Sequence, residues 1–137
     1  MPTVCSASGR CVVTKDVYVD WVLDCRIDGT VALTIGGLVP GSYLVTGLPS
    51  GGTVWDGPWT PPTTGWYWYI PCDNLSPATV RTPAGAYYDS AETAFASLME
   101  REAIVTFDGP DLLCAKRDSN CADNHGGTEF RMELVCP

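Results

Sequence analysis

The sequence predicts an all-β domain, mainly antiparallel and built as a sandwich or barrel, with one short α-helix near Ser90 to Glu102. Three observations carry this expectation. Apolar residues recur with period two in the longest patterned segments. Gly and Pro interrupt the chain so often that only short strands fit between them. A single segment combines a helix start signal with apolar residues at helical spacing. With 137 residues and 45% hydrophobic content, the chain has the size of one domain and the apolar material to fill its core. It shows no internal repeat and no linker, so residues 1–137 are read as one unit.

From Asp16 to Asp28, the residues Val17, Val19, Trp21, Leu23, Cys25 and Ile27 fall on one parity, and Asp16, Asp20, Asp24 and Asp28 fall on the other. Aspartates at every fourth position would also suit a helix. The β-branched and aromatic set at period two decides for a half-buried strand. Asp28-Gly29 then supplies a turn, and Val31, Leu33 and Ile35 resume the alternation, which predicts a hairpin. Close Gly and Pro punctuation restricts the next strands to Tyr43–Val45 and Thr53–Trp55. Trp59 to Pro62 reads as a loop, Trp66 to Ile70 as an aromatic strand ended by Pro71, and Thr79 to Arg81 as a further short strand. The helix is expected to start at Asp89 as N-cap, with Glu92 completing a capping box and Phe95, Leu98 and Met99 on one face. Ala103–Phe107 returns to strand character, Asp108-Gly109-Pro110 turns the chain, and Phe130, Met132 and Leu134 alternate with Arg131 and Glu133 in a closing strand.

Eight basic against sixteen acidic side chains give a net charge of −8. Without a basic cluster, a nucleic-acid partner would meet repulsion. Apolar runs such as Val31–Val39 contain Gly and Pro and fall short of the roughly 20 residues that span a bilayer, so no membrane partner is expected. The opening Met-Pro-Thr-Val-Cys lacks the basic start and apolar core of a secretory signal. Synthesis in the cytosol and removal of a leader both remain open.

Seven cysteines (Cys5, Cys11, Cys25, Cys72, Cys114, Cys121 and Cys136) lean toward an oxidising destination, and their odd number points to a thiol available to another chain. Local bridges are expected between Cys5 and Cys11 and between Cys114 and Cys121. Cys25 sits on the inward parity, either as core or paired with Cys72 or Cys136. Cys114, Cys121, His125 and Cys136 have the chemistry of zinc ligands, but their gaps are unlike the close pairs of zinc modules, so no metal or other cofactor is assigned. His125 is the sole histidine and lies in the turn-like Asp123-Asn124-His125-Gly126-Gly127. It reads as a surface-loop residue, and no nucleophile elbow accompanies it. No catalytic residue is assigned and the chain is read as a non-enzyme.

Two features suggest recognition. Asp16, Asp20 and Asp24 would line the outer face of the first strand as an acidic surface for a basic partner; at about 13 Å between successive carboxylates they are too far apart for one cation. Trp55, Trp59, Trp66, Tyr67, Trp68 and Tyr69 gather within a short stretch. Only one parity of a strand is buried against a core, so one aromatic pair is expected outside it or beneath another subunit.

In size, in the hairpin around Asp28-Gly29, in the single capped helix at Ser90 to Glu102 and in the closing strand to Val135, the chain resembles small β-sandwich virion proteins of tailed bacteriophages. These are the decoration or cement proteins and the neck proteins that join head to tail. The resemblance implies a structural protein acting through protein–protein contacts: a homo-oligomer on capsid or tail subunits, made without a signal peptide and oxidised after release, with the virion as its location. The alternative reading is a secreted, extracellular, disulfide-containing module that binds a carbohydrate or other ligand on its aromatic residues.

Overall fold

The computed structural model describes residues 14–49, 53–56, 64–118 and 121–135. As expected, the fold is mostly β, with one short α-helix among the described residues. Eleven strands are present among the described residues: β1 (Thr14–Asp20), β2 (Cys25–Arg26), β3 (Leu33–Ile35), β4 (Gly41–Leu48), β5 (Thr53–Asp56), β6 (Thr64–Tyr67), β7 (Leu75–Ser76), β8 (Glu102–Phe107), β9 (Leu112–Cys114), β10 (Lys116–Arg117) and β11 (Gly127–Leu134). Helix α1 spans Ala91–Ala96.

A five-stranded antiparallel sheet in the order β1-β11-β4-β8-β7 forms the main layer and curls into a half-barrel. Strict alternation builds its inner face. Val17 and Val19 of β1, Phe130 and Met132 of β11, Tyr43 and Val45 of β4, and Val105 and Phe107 of β8 are all buried. They meet Trp68, Ile70, Leu112 and Cys114 from the facing segments in one core. Gly47 makes room for this layer, because a Cβ there would lie 3.2 Å from Val80 and 3.4 Å from both Leu98 and Trp68. The closing strand was correctly expected, and it takes a central place between β1 and β4.

The predicted strand from Asp16 to Asp28 breaks at Asp20. The Asp20 carboxylate accepts hydrogen bonds from the amides of Val22 and Leu23 at 2.8 and 2.9 Å. Asp24 Oδ2 accepts from the Asp20 amide at 2.8 Å, and the Asp24 amide donates to the Asp20 carbonyl. Short carboxylates thus satisfy the backbone locally in place of a ladder. The inward parity is lost with it: Leu23 and Ile27 are 75% and 71% exposed, while Cys25 stays buried.

The Asp28-Gly29 hairpin does not form. Gly29 does take a positive φ, but the strands on its two sides pair elsewhere, β2 in parallel with β10 and β3 antiparallel with β9. The helix starts one residue later than expected. Ser90 is the N-cap, its Oγ accepting from the Thr93 amide at 3.1 Å. Glu92 is therefore at the second helical position, where it does not complete a capping box, and Met99 lies beyond the helix and is exposed. Of the expected Thr79–Arg81 strand, an isolated bridge between Arg81 and Tyr69 is present. No helix among the described residues is long and apolar enough to cross a membrane.

Candidate functional site

Among the described residues, a groove of about 330 Å³ is lined by Tyr67, Tyr69, Tyr87, Arg81 and the segment from Thr82 to Ala86. Its construction begins with the aromatic strand. Tyr88 pairs with Trp66 through two backbone bonds of 2.9 Å, and the Thr82 amide donates to the Trp68 carbonyl at 2.8 Å. Between these anchor points the Pro83–Tyr87 segment has more residues than the strand opposite it and must bow outward. Its tip is a tight turn closed by the Ala86 amide on the Pro83 carbonyl, with Gly85 at φ 78°, a value that favours glycine. Small side chains at Ala84, Gly85 and Ala86 keep this wall low. Tyr87 forms the other wall by lying directly on Gly65, where any Cβ would approach the Tyr87 Cβ to 2.6 Å.

The floor is made by Tyr67 and Tyr69, whose rings are nearly parallel with centroids 5.9 Å apart. Trp21 lies against both at 5.2 Å. It is held by its indole nitrogen donating to Thr128 Oγ1 at 3.2 Å, and its carbonyl accepts from Asn124 Nδ2 at 3.0 Å. Lys116 extends among these rings although it is only 3% exposed. Its ammonium lies 5.2 to 5.6 Å from the ring centres of Trp21, Tyr67 and Tyr69. It donates to the Tyr67 hydroxyl at 2.6 Å and lies 3.6 Å from Asp118. A buried cation is tolerated because aromatic faces, a hydroxyl and a carboxylate together replace water. Burial, reinforced by the Asp118 charge, pushes the Tyr69 hydroxyl up to about 12, so Tyr69 stays a neutral phenol at physiological pH.

The residues singled out from sequence are thereby dispersed. Trp68 is fully buried, edge-on to Phe95 of the helix. Trp66, Tyr67 and Tyr69 are half-buried. Tyr67 and Tyr69 do share a face, covered on one side by Trp21 and Lys116 of the same chain. Trp55 falls in β5, opposite Gly65, and Trp59 lies outside the described residues. Asp16 pairs with Arg131 across β1 and β11 at 2.7 and 3.0 Å, and this bond holds the Asp16 carboxyl below its ordinary value. With Asp20 and Asp24 in the turn, no continuous acidic strand face exists.

The cysteine pairing differs from the expected one. Cys72 joins Cys114 and Cys25 joins Cys121. The physical reason lies in the sheets: Cys114 sits in β9 directly opposite Cys72, while the parallel pairing of β2 with β10 carries Cys25 to the segment that contains Cys121. A Cys114–Cys121 bridge is therefore ruled out, and so are Cys72 and Cys136 as partners of Cys25. Cys114 and Cys121, the two described cysteines of the zinc set, are spent in different disulfides, and His125 is exposed. Cys5, Cys11 and Cys136 lie outside the described residues.

Sequence reasoning missed Lys116, Arg81 and Tyr87. Tyr87 had a signal in the Pro-Ala-Gly-Ala turn set between two aromatic segments. Lys116 had none, being a single cation in the polar-looking Lys-Arg-Asp run.

No known family model, curated protein or solved structure matches the chain.

Proposed function

We propose that the chain is a non-enzymatic assembly protein that acts through contacts with other protein subunits, as a virion component attached to capsid or tail. One observation carries this reading: large apolar side chains stand exposed on a stapled frame between Val22 and Val31. Leu23 and Ile27 are the most exposed of the large hydrophobic residues among those described, and Val22 and Val31 accompany them. The Cys25–Cys121 bond and the β2–β10 pairing fix the segment that presents them. Several exposed apolar side chains on one segment are candidates for a contact surface, and burying each Leu or Ile side chain contributes about 1.5 to 3 kcal/mol. Size, sandwich architecture and the odd cysteine count support the virion setting, the last by leaving at least one thiol for an interchain bond.

Sedimentation velocity over a wide concentration range, with and without reductant, tests the proposal. Self-association or a mixed complex that is lost in a Leu23→Asp/Ile27→Asp variant is the expected result. A monomer at all concentrations that recruits no subunit from its native particle, with the double variant behaving identically, defeats it.

The tyrosine groove favours a second reading, an extracellular carbohydrate-binding module. Tyr87 offers a half-exposed ring beside a concavity, and aromatic faces are common platforms for sugar rings.

A further inference from the structure

We propose that the tyrosine groove selects an acidic sugar, a pyranose ring carrying a carboxylate, with Arg81 as the residue that holds the acid. The inference rests on the carbohydrate reading and narrows it to a ligand class.

Arg81 is the starting point. Lys116, Arg117 and Arg131 each have a carboxylate partner in Asp118, Asp73 and Asp16. Arg81, like Lys15, Arg26 and Arg101, has no carboxylate within ion-pair distance among the described residues, and of these four it is the one that lines the tyrosine groove; its guanidinium donates to the Thr82 carbonyl at 3.3 Å. The rest of its planar fork is of the kind that recognises a carboxylate through paired N–H groups.

Position decides where an acid would sit. Arg81 lines both the tyrosine groove and a neighbouring cavity of about 280 Å³ that includes Glu100. The Glu100 charge disfavours an anion on that side, which leaves the tyrosine side for it. A cationic ligand is disfavoured there as well, because Arg81 repels it and the Tyr67 and Tyr69 rings already interact with the Lys116 ammonium. The negative electrostatic potential of those faces is therefore partly offset.

Shape supplies the rest. A volume near 330 Å³ is at the small end of ligand sites, which run from about 300 to 1,000 Å³. It suits a sugar unit or two. Tyr87, 49% exposed, presents a ring for the C–H face of a pyranose, while the low Ala84–Ala86 wall leaves the opposite side open.

Calorimetric titration with oligogalacturonate and with its methyl-esterified, uncharged counterpart tests the proposal. A hydrogen bond to a charged group supports roughly tenfold or greater preference for the acid form. The preference should vanish in Arg81→Gln and be partly restored in Arg81→Lys, which keeps the charge but not the fork. Tyr87→Ala should weaken both ligands alike. Circular dichroism and melting of each variant separate loss of binding from loss of fold. Equal affinity for both forms, or a preference that survives in Arg81→Gln, overturns the acid-specific site while leaving a sugar site in place. Failure of both forms to bind overturns the inference and the carbohydrate reading together.

Discussion

Removing the two described disulfides one at a time should give unequal losses, because the bridges are nested. Cys72–Cys114 closes 42 positions of sequence and lies wholly inside Cys25–Cys121, which closes 96. On the chain-entropy model, the inner bridge shortens the effective outer loop to roughly 54 residues, so the two together restrict the unfolded chain by about 8 kcal/mol. With only the outer bridge left, about 4.7 kcal/mol of that restriction remains, so Cys72→Ala/Cys114→Ala should cost about 3.4 kcal/mol. With only the inner bridge left, about 4 kcal/mol remains, and Cys25→Ala/Cys121→Ala should cost about 4.2 kcal/mol. Domains of this size are stable by about 5 to 15 kcal/mol, so either double variant stays folded if the starting value is near the middle, and the quadruple variant should be close to unfolding. Urea titration followed by fluorescence reads the losses, since Trp21 and Trp68 are both fully buried and report on the core. Tryptic peptide mapping without reduction confirms the pairing. Losses under about 1 kcal/mol for both double variants would refute the entropic reasoning. A crosslinked peptide joining Cys114 to Cys121 would refute the nesting itself.

Two further outcomes follow from the surface and from the groove. Asp16 and Asp73 are held below their ordinary 3.8, chiefly by hydrogen bonds from Arg131 and Arg117. A carboxylate whose folded pKa is below its unfolded one contributes stability that is full above about pH 4 and is lost as the pH falls through the depressed folded value. Unfolding free energies should therefore decline on acidification below that point, and Asp16→Asn with Asp73→Asn should flatten the decline; an unchanged pH profile in the double variant would remove these pairs from the account. Separately, Gly65→Ala should push Tyr87 off β6, because the new Cβ would sit 2.6 Å from the Tyr87 Cβ. Overpacking of this kind costs typically about 1 to 3 kcal/mol, and NMR shifts confined to Tyr87 and Tyr67 would localise it; a variant as stable as the parent with unmoved tyrosine resonances would contradict the packing.

The elements that were legible in the sequence are those whose pattern is enforced by one large sheet. β11 and β8 alternate because each is flanked on both sides within the five-stranded layer, so burial repeats every second residue along β8 and from Thr128 to Met132 in β11. The Asp16–Asp28 stretch has the same alternation and still breaks, because the decision rests with Asp20 and Asp24. Their carboxylates accept three hydrogen bonds from the backbone, and the Asp24 amide closes the turn on the Asp20 carbonyl; period counting is blind to that competition. The hairpin failed for a related reason. A turn at Gly29 says that the chain reverses but not which strands it joins, and β2 and β3 find partners about 80 to 90 residues away in β10 and β9. Disulfide connectivity follows those distant pairings, which is why proximity in sequence misassigned Cys114.

The groove was hidden for a different reason, and Lys116 shows it. A lysine beside an arginine and an aspartate reads as solvated surface, and Arg117 does behave that way, forming an exposed pair with Asp73. Lys116 differs only because the adjacent Cys114–Cys72 bond and the β10–β2 pairing turn it toward Trp21. Once there, its charge needs compensation, and Trp21, Tyr67, Tyr69 and Asp118 supply it. That demand explains why Tyr67 and Tyr69 are half-buried and not fully displayed, as strand parity had suggested. The same tyrosines that enclose the cation floor the groove. The acidic ligand proposed at Arg81 fits this arrangement, because Lys116 beneath the floor already has the Asp118 carboxylate beside it.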